Sequence, residues 1–158
     1  MKNMHQRGAA LIEFALVTPL LIMVLIGLIE VGRLAYFSIE VANAAHAGAQ
    51  YGAISYKNAG GSGMGVAAQK DGQNGVAHLQ TTADYVCACW NPSTAAETPS
   101  TPTQAACGVP CSNGGHTVTY AQVSVTGTMH ALFNYTALGL PAQWAVTRVA
   151  TMRVEQAP

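Results

Sequence analysis

RGAALIEFALVTPLLIMVLIGLIEVGRLAYF, residues Arg7 to Phe37, is the stretch on which the rest of the chain depends. Phe14 to Ile29 contains no charged residue, and between Ala9 and Ile29 only Glu13 breaks the apolar run. As a helix, Ala9 to Ile29 would extend ~30 Å at about 1.5 Å per residue, enough to cross a hydrocarbon core. A core helix of a soluble protein would need an apolar partner surface, and no other segment of this chain is comparably apolar. Lys2 and Arg7 precede the run, whereas Arg33 after it is offset by Glu30 and Glu40. The basic flank stays cytoplasmic, so the N-terminus is expected inside and the body outside. A conventional cleaved signal does not fit. Its apolar region is usually about 7–15 residues long, and the nearest A-x-A-like site here, Ala42 to Ala44, lies far downstream. Pro19 removes a backbone donor and should kink or locally open the helix, with Gly27 a second weak point.

Composition agrees with an anchored body. The 158 residues allow one small domain plus an anchor. Only 9% of residues are charged, far below the roughly 25% of an ordinary soluble domain. The formal net charge is zero, and no basic stripe with interleaved aromatics exists, which argues against a nucleic-acid partner. The histidines His5, His46, His78, His116 and His130 form no H-E-x-x-H pattern. There is no G-x-S-x-G elbow, and the few carboxylates are scattered, so no enzyme activity and no cofactor are expected. The glycines of KNAGGSGMG, Lys57 to Gly65, lack the G-x-x-x-x-G-K-[ST] spacing of a phosphate loop.

Glu13 is the anomaly. A charged residue at the centre of a membrane helix costs roughly 2.5–3.5 kcal/mol, and less near an end. In the bland reading its carboxylate simply reaches the headgroup layer. A sharper reading places a cut between Gly8 and Ala9. Glu13 then becomes the fifth residue of the mature chain, and its carboxylate can pair with the new α-amino group, its own or a neighbour's. Such pairing offsets the cost of carrying both groups into an apolar bundle.

A short basic leader ending in Gly, a Glu at the fifth mature position and a long apolar helix resemble the class III signal peptide of type IV pilins and pseudopilins. More narrowly, the stretch is similar to the start of the TadE-like family, minor pseudopilins of the tight-adherence (Tad, or Flp) pilus. There an R-G-x-x-x-x-E-F opening leads into a leucine-rich span and an E-x-G-R exit, here Glu30, Val31, Gly32 and Arg33. Phe14 matches the aromatic that follows the glutamate. The resemblance implies cleavage between Gly8 and Ala9 by a prepilin peptidase of the inner membrane. It also implies packing against other pilins and pseudopilins, and contact with the Tad assembly platform.

After the span the helix should continue, with Leu34, Phe37, Val41, Ala44, Ala45, Gly48 and Tyr51 or Gly52 at helical spacing. Lys57 to Gly65 reads as a glycine-rich loop, and Val66 to about Ala83 as a weak second helix interrupted at Gly72 and Gly75. DYVCACW, HTVTYAQVSVTGTM and WAVTRVATMRV read as strands. On the last of these Trp144, Val146, Ala150, Met152 and Val154 share a face that Arg148 interrupts. LFNYTALGLPAQ between the last two strands is a loop. A proline-rich loop separates the first two.

Four cysteines flank that proline-rich loop: Cys87, Cys89, Cys107 and Cys111. In a strand Cys87 and Cys89 lie ~6.6–6.8 Å apart, the limit of disulfide reach. Two cross-pairings remain, Cys87–Cys107 with Cys89–Cys111, or Cys87–Cys111 with Cys89–Cys107. An extracytoplasmic location favours oxidation. The rival is a zinc site of these thiols with His116, but C-x-C and C-x₃-C are not the usual C-x₂-C knuckles. The arrangement also resembles that of a subset of the TadE-like family.

The expected fold is α+β: a long N-terminal transmembrane helix continuing into a small extracytoplasmic domain with an antiparallel β-sheet. The expected organisation is a leader at 1–8, a span at 9–30, a helix extension at 31–56 and the body at 57–158. The expected role is that of a minor pseudopilin. The alternative is an uncleaved, single-pass, membrane-anchored binding module, and a major pilin is disfavoured because Flp-type major subunits are much shorter.

Overall fold

The computed structural model of the chain describes residues 4–54, 62–72, 79–90, 116–133, 136, 139 and 141–155. The first element, α1, runs from Met4 to Ile54, 51 residues without a break in the helix, roughly 75 Å at 1.5 Å per residue. Pro19 lies inside it, and the helix continues on both sides of it. One turn of the ladder is supplemented beside the proline, where the Thr18 hydroxyl donates to the Phe14 carbonyl at 2.7 Å.

Two different environments divide α1. From Leu11 to Ile29 the large apolar side chains other than the half-buried Ile26 are exposed, Leu16 at 76% and Leu28 at 68% among them. The helix is long and apolar enough to cross a membrane, and none of its most apolar window is buried within the protein. From Glu30 onward one face is covered. Phe37, Val41, Ala44, Ala45 and Ala49 are buried there, along with Gly48 and Gly52, while Tyr51 is exposed. Of the two residues allowed for the last position of the stripe, Gly52 is the one that packs.

Against that face lie a short helix α2, Ser62–Gly72, and a sheet of β1, Gln80–Trp90, β2, His116–His130, and β3, Gln143–Arg153. The sheet is antiparallel in the order β1-β2-β3. α1 crosses β2 and β3, and α2 packs on α1 and over β1. Alternation along β2 turns Ala121, Val123, Val125 and Met129 toward the helices, where they join Met64, Ala68, Ala150 and Val154 in one core. Val86, Val118 and Tyr120 fall by the same alternation on the other face, and they too are buried. Register is reinforced by the paired Thr126 and Thr147, whose hydroxyls are 2.8 Å apart.

The expected α+β layout is therefore present, with three corrections. The stretch read as loop through Gly65 already turns helical at Ser62. Its glycines are tolerated because Met64 and Ala68 bury fully against α1, and packing outweighs the weak propensity of glycine. That helix ends at Gly72 and does not run on toward Ala83. The strand expected from Asp84 begins at Gln80, where residues assigned to the helix pair with Thr126 to Val123 of β2. The proline-rich loop, Cys107 and Cys111 lie outside the described residues, as do residues 55–56 of the helix extension.

Candidate functional site

The features singled out in the sequence fall at three levels along α1. The first is its N-terminal end. Gly8 is exposed and within the helix, and a Cβ placed there would meet nothing within 4 Å. Glu13 is exposed, as is Phe14 at 66%. The two sit side by side among exposed aliphatic residues, facing whatever surrounds the helix. The side chain of Ala9 is outside the described residues. The helix as it stands begins well before Glu13 and has no acidic residue in its first turn.

The second level is the end of the apolar run, and the sequence reading missed its chemistry. Glu30 is 5% exposed, one of the two buried polar residues among those described. Its carboxylate accepts the backbone N–H of Leu132 at 3.1 Å through Oε1, with Oε2 at 3.5 Å. Arg33 Nη1 lies 3.5 Å from Oε2, an i,i+3 ion pair. That nitrogen is buried and makes no hydrogen bond, so Glu30 supplies its compensation by charge alone. Glu30, paired with Arg33, thus ties the start of the connection between β2 and β3 to the helix. A carboxylate and a guanidinium three residues apart, just past an apolar run, were a legible pair. The partner 102 residues away was not. Further along, the Arg148 guanidinium donates to Ser38 Oγ at 2.6 Å. The charge that interrupts the β3 face thereby ties β3 to α1.

The Glu30 contact can be tested alone. Glu30→Ala leaves the Leu132 N–H without its acceptor and should cost about 1–3 kcal/mol. Glu30→Gln retains a carbonyl acceptor and should cost less. Amide exchange at Leu132 is expected to be fastest in the alanine variant and intermediate in the glutamine variant.

The third level is the far end of α1. Here the Ala53 carbonyl, left over at the helix terminus, accepts the Glu155 N–H at 3.0 Å, and the Val154 N–H reaches the Thr119 carbonyl at 2.8 Å. Thr119 pairs across the ladder with Cys87, and Thr117 with Cys89. Neither cysteine is a free thiol, and both are disulfide-bonded. Cys87 is buried. Its Sγ lies 3.4 Å from Thr119 Oγ1, and a sulfur with no hydrogen leaves the hydroxyl as the donor. Among the described residues no group of three His, Cys, Asp or Glu is placed to hold a metal ion. An open cleft of about 710 Å³ lies nearby, lined by Gln50, Ala53, Ile54, Met152, Arg153 and Glu155 among others.

The strand directions order these levels. β2 ends and β3 begins beside Glu30, and β1 ends and β2 begins beside Ala53. The cysteines therefore lie at the end of the body remote from the span, roughly 35 Å along the helix from Glu30.

Among the described residues one helix is long and apolar enough to cross a membrane, and it is continuous with a small α+β body packed on its second half. The TadE-like protein family model matches residues 8–50, from the opening glycine nearly to the end of α1. That segment is similar to TadE-like proteins. No curated protein and no solved structure matches the chain.

Proposed function

We propose that this protein is a minor pseudopilin of a Tad pilus. In this reading it is inserted in the inner membrane with its N-terminus cytoplasmic, cut between Gly8 and Ala9 by a prepilin peptidase, and assembled through its apolar helix beside other pilin-like subunits. The observation that carries the reading is the coincidence of the TadE-like match with the exposed half of α1: Gly8, Glu13 and Phe14 lie within residues 8–50. Removing residues 1–8 would change the electrostatics of Glu13. Now deep within α1, it would come to lie about one turn from a new helix N-terminus. There the unsatisfied N–H groups favour a negative charge by about 0.3–1 kcal/mol, and the α-amino group of Ala9 becomes available as a counter-ion. The buried face begins only at Glu30, so the apolar surface before it is left for lipid or neighbouring helices.

Cys87 and Cys89 join Cys107 and Cys111 in one of the two cross-pairings and fasten the proline-rich loop at the remote end. The protein works by assembly, without chemistry of its own.

N-terminal sequencing of the membrane-extracted protein tests the processing step. A mature chain beginning at Ala9 supports it, and an intact Met1 favours the uncleaved anchored module. Glu13→Ala should leave membrane insertion unchanged and sharply reduce pilus formation. Normal pili in that variant would remove the pairing role of the carboxylate.

A further inference from the structure

We infer that the hairpin connection between β2 and β3 rests on the lipid surface, with Leu132 and Phe133 entering the interfacial layer beside the point where α1 leaves the membrane. The inference rests on the reading of Phe14 to Ile29 as a span. Glu30 is the residue after that apolar run, and its carboxylate holds the Leu132 N–H at 3.1 Å. The start of the connection is thereby fixed at the level where the helix exits lipid. Leu132 is 52% exposed and Phe133 51%. Singly exposed apolar residues are ordinary on protein surfaces. Here, though, the Glu30 contact puts the pair at the level of Leu28, Ile29 and Val31 of α1, themselves 56–68% exposed, so apolar surface is exposed on both elements where the span ends.

Charge points the same way. From Ala131 to Ala142 the connection contains no charged residue, and it includes two aromatics, Phe133 and Tyr135. Aromatic and aliphatic side chains without charge are what a membrane–water interface accepts. Glu30, which holds Leu132, is itself paired with Arg33. The opposite end of the sheet, with the cysteines, is held away from the lipid. The body is thus supported at two points, the helix and the hairpin, and is not free to tilt about α1.

Photocrosslinking in the native membrane tests this with the full-length chain. p-Benzoylphenylalanine is placed singly at Phe133, at Leu20 within the span and at Val149 on the exposed face of β3. Mass shifts corresponding to phospholipid adducts are expected at Leu20 and Phe133 and not at Val149. Lipid adducts at Leu20 but only protein adducts or none at Phe133 would overturn the hairpin contact and leave the span intact. No lipid adduct at Leu20 would overturn the span and the inference with it. Adding Glu30→Ala should reduce the Phe133 adduct while leaving that at Leu20. An undiminished adduct would show that the carboxylate does not hold the hairpin on the lipid, and overturn that part of the inference.

Discussion

Gly48→Ala should destabilise the body by about 1–3 kcal/mol through overpacking. In an exposed helix the same change normally stabilises by roughly 0.5–1 kcal/mol. The reversal comes from three sides at once. A Cβ at Gly48 would lie 2.8 Å from the Met64 carbonyl oxygen, 3.0 Å from Ala68 Cβ and 3.1 Å from Val123 Cγ1. The first belongs to the α2 backbone and the second to a side chain with no rotamer to change, so neither can step aside. The third is a fully buried valine of β2. One turn on, a Cβ at Gly52 would meet Met64 Sδ and Ala121 Cβ more closely still. Met64 is long and flexible and can yield in part, but Ala121 Cβ, at 2.7 Å, cannot, so Gly52→Ala should also destabilise the body. Gly32→Ala is the internal control, because a Cβ there meets nothing within 4 Å. Thermal unfolding of the detergent-extracted protein should show a lowered midpoint for Gly48→Ala and an unchanged or raised one for Gly32→Ala.

Reduction of the disulfides at Cys87 and Cys89 should loosen the far end of the body and leave the exit clamp in place. Each bond contributes about 2–4 kcal/mol when it closes a loop of moderate length. The Cys87 sulfur is buried against Thr119, so reduction should be slow under native conditions and fast once the body opens. The expected results are a mass increase of two hydrogens per bond, a lower unfolding midpoint after reduction, and amide exchange that rises at Thr117 to Thr119 before it rises at Leu132. A uniform rise along the sheet would show that the two ends open as one unit.

Much of this architecture was legible because it is written in local pattern. The apolar run gave the first half of α1, and the three- and four-residue spacing from Leu34 to Gly52 gave the buried face of the second. Alternation with β-branched residues located β2 and β3. What could not be read were features decided by distant partners. The first turn of α2, Ser62 to Gly65, looked like a loop because Gly63 and Gly65 argue against a helix locally, and the burial of Met64 and Ala68 overrides them. Gln80 to Ala83 looked like the end of a helix because their strand character comes from pairing with β2. Glu30 looked like part of a motif, and its structural work became visible only with Leu132 beside it. Glu13 is the opposite case. It stood out in sequence, and in the structure its side chain is exposed.

The unbroken run of α1 through Glu30 has a geometric consequence. Span and body share one helical phase, so the azimuth at which the body faces its surroundings is set by the direction in which Glu13 and Phe14 face theirs. Inserting a single residue between Ile29 and Glu30 would swing the sheet by about 100° around the axis and lift it about 1.5 Å. The sequence of the exit therefore encodes an angle as well as an anchor, and the length of this segment is constrained to the residue.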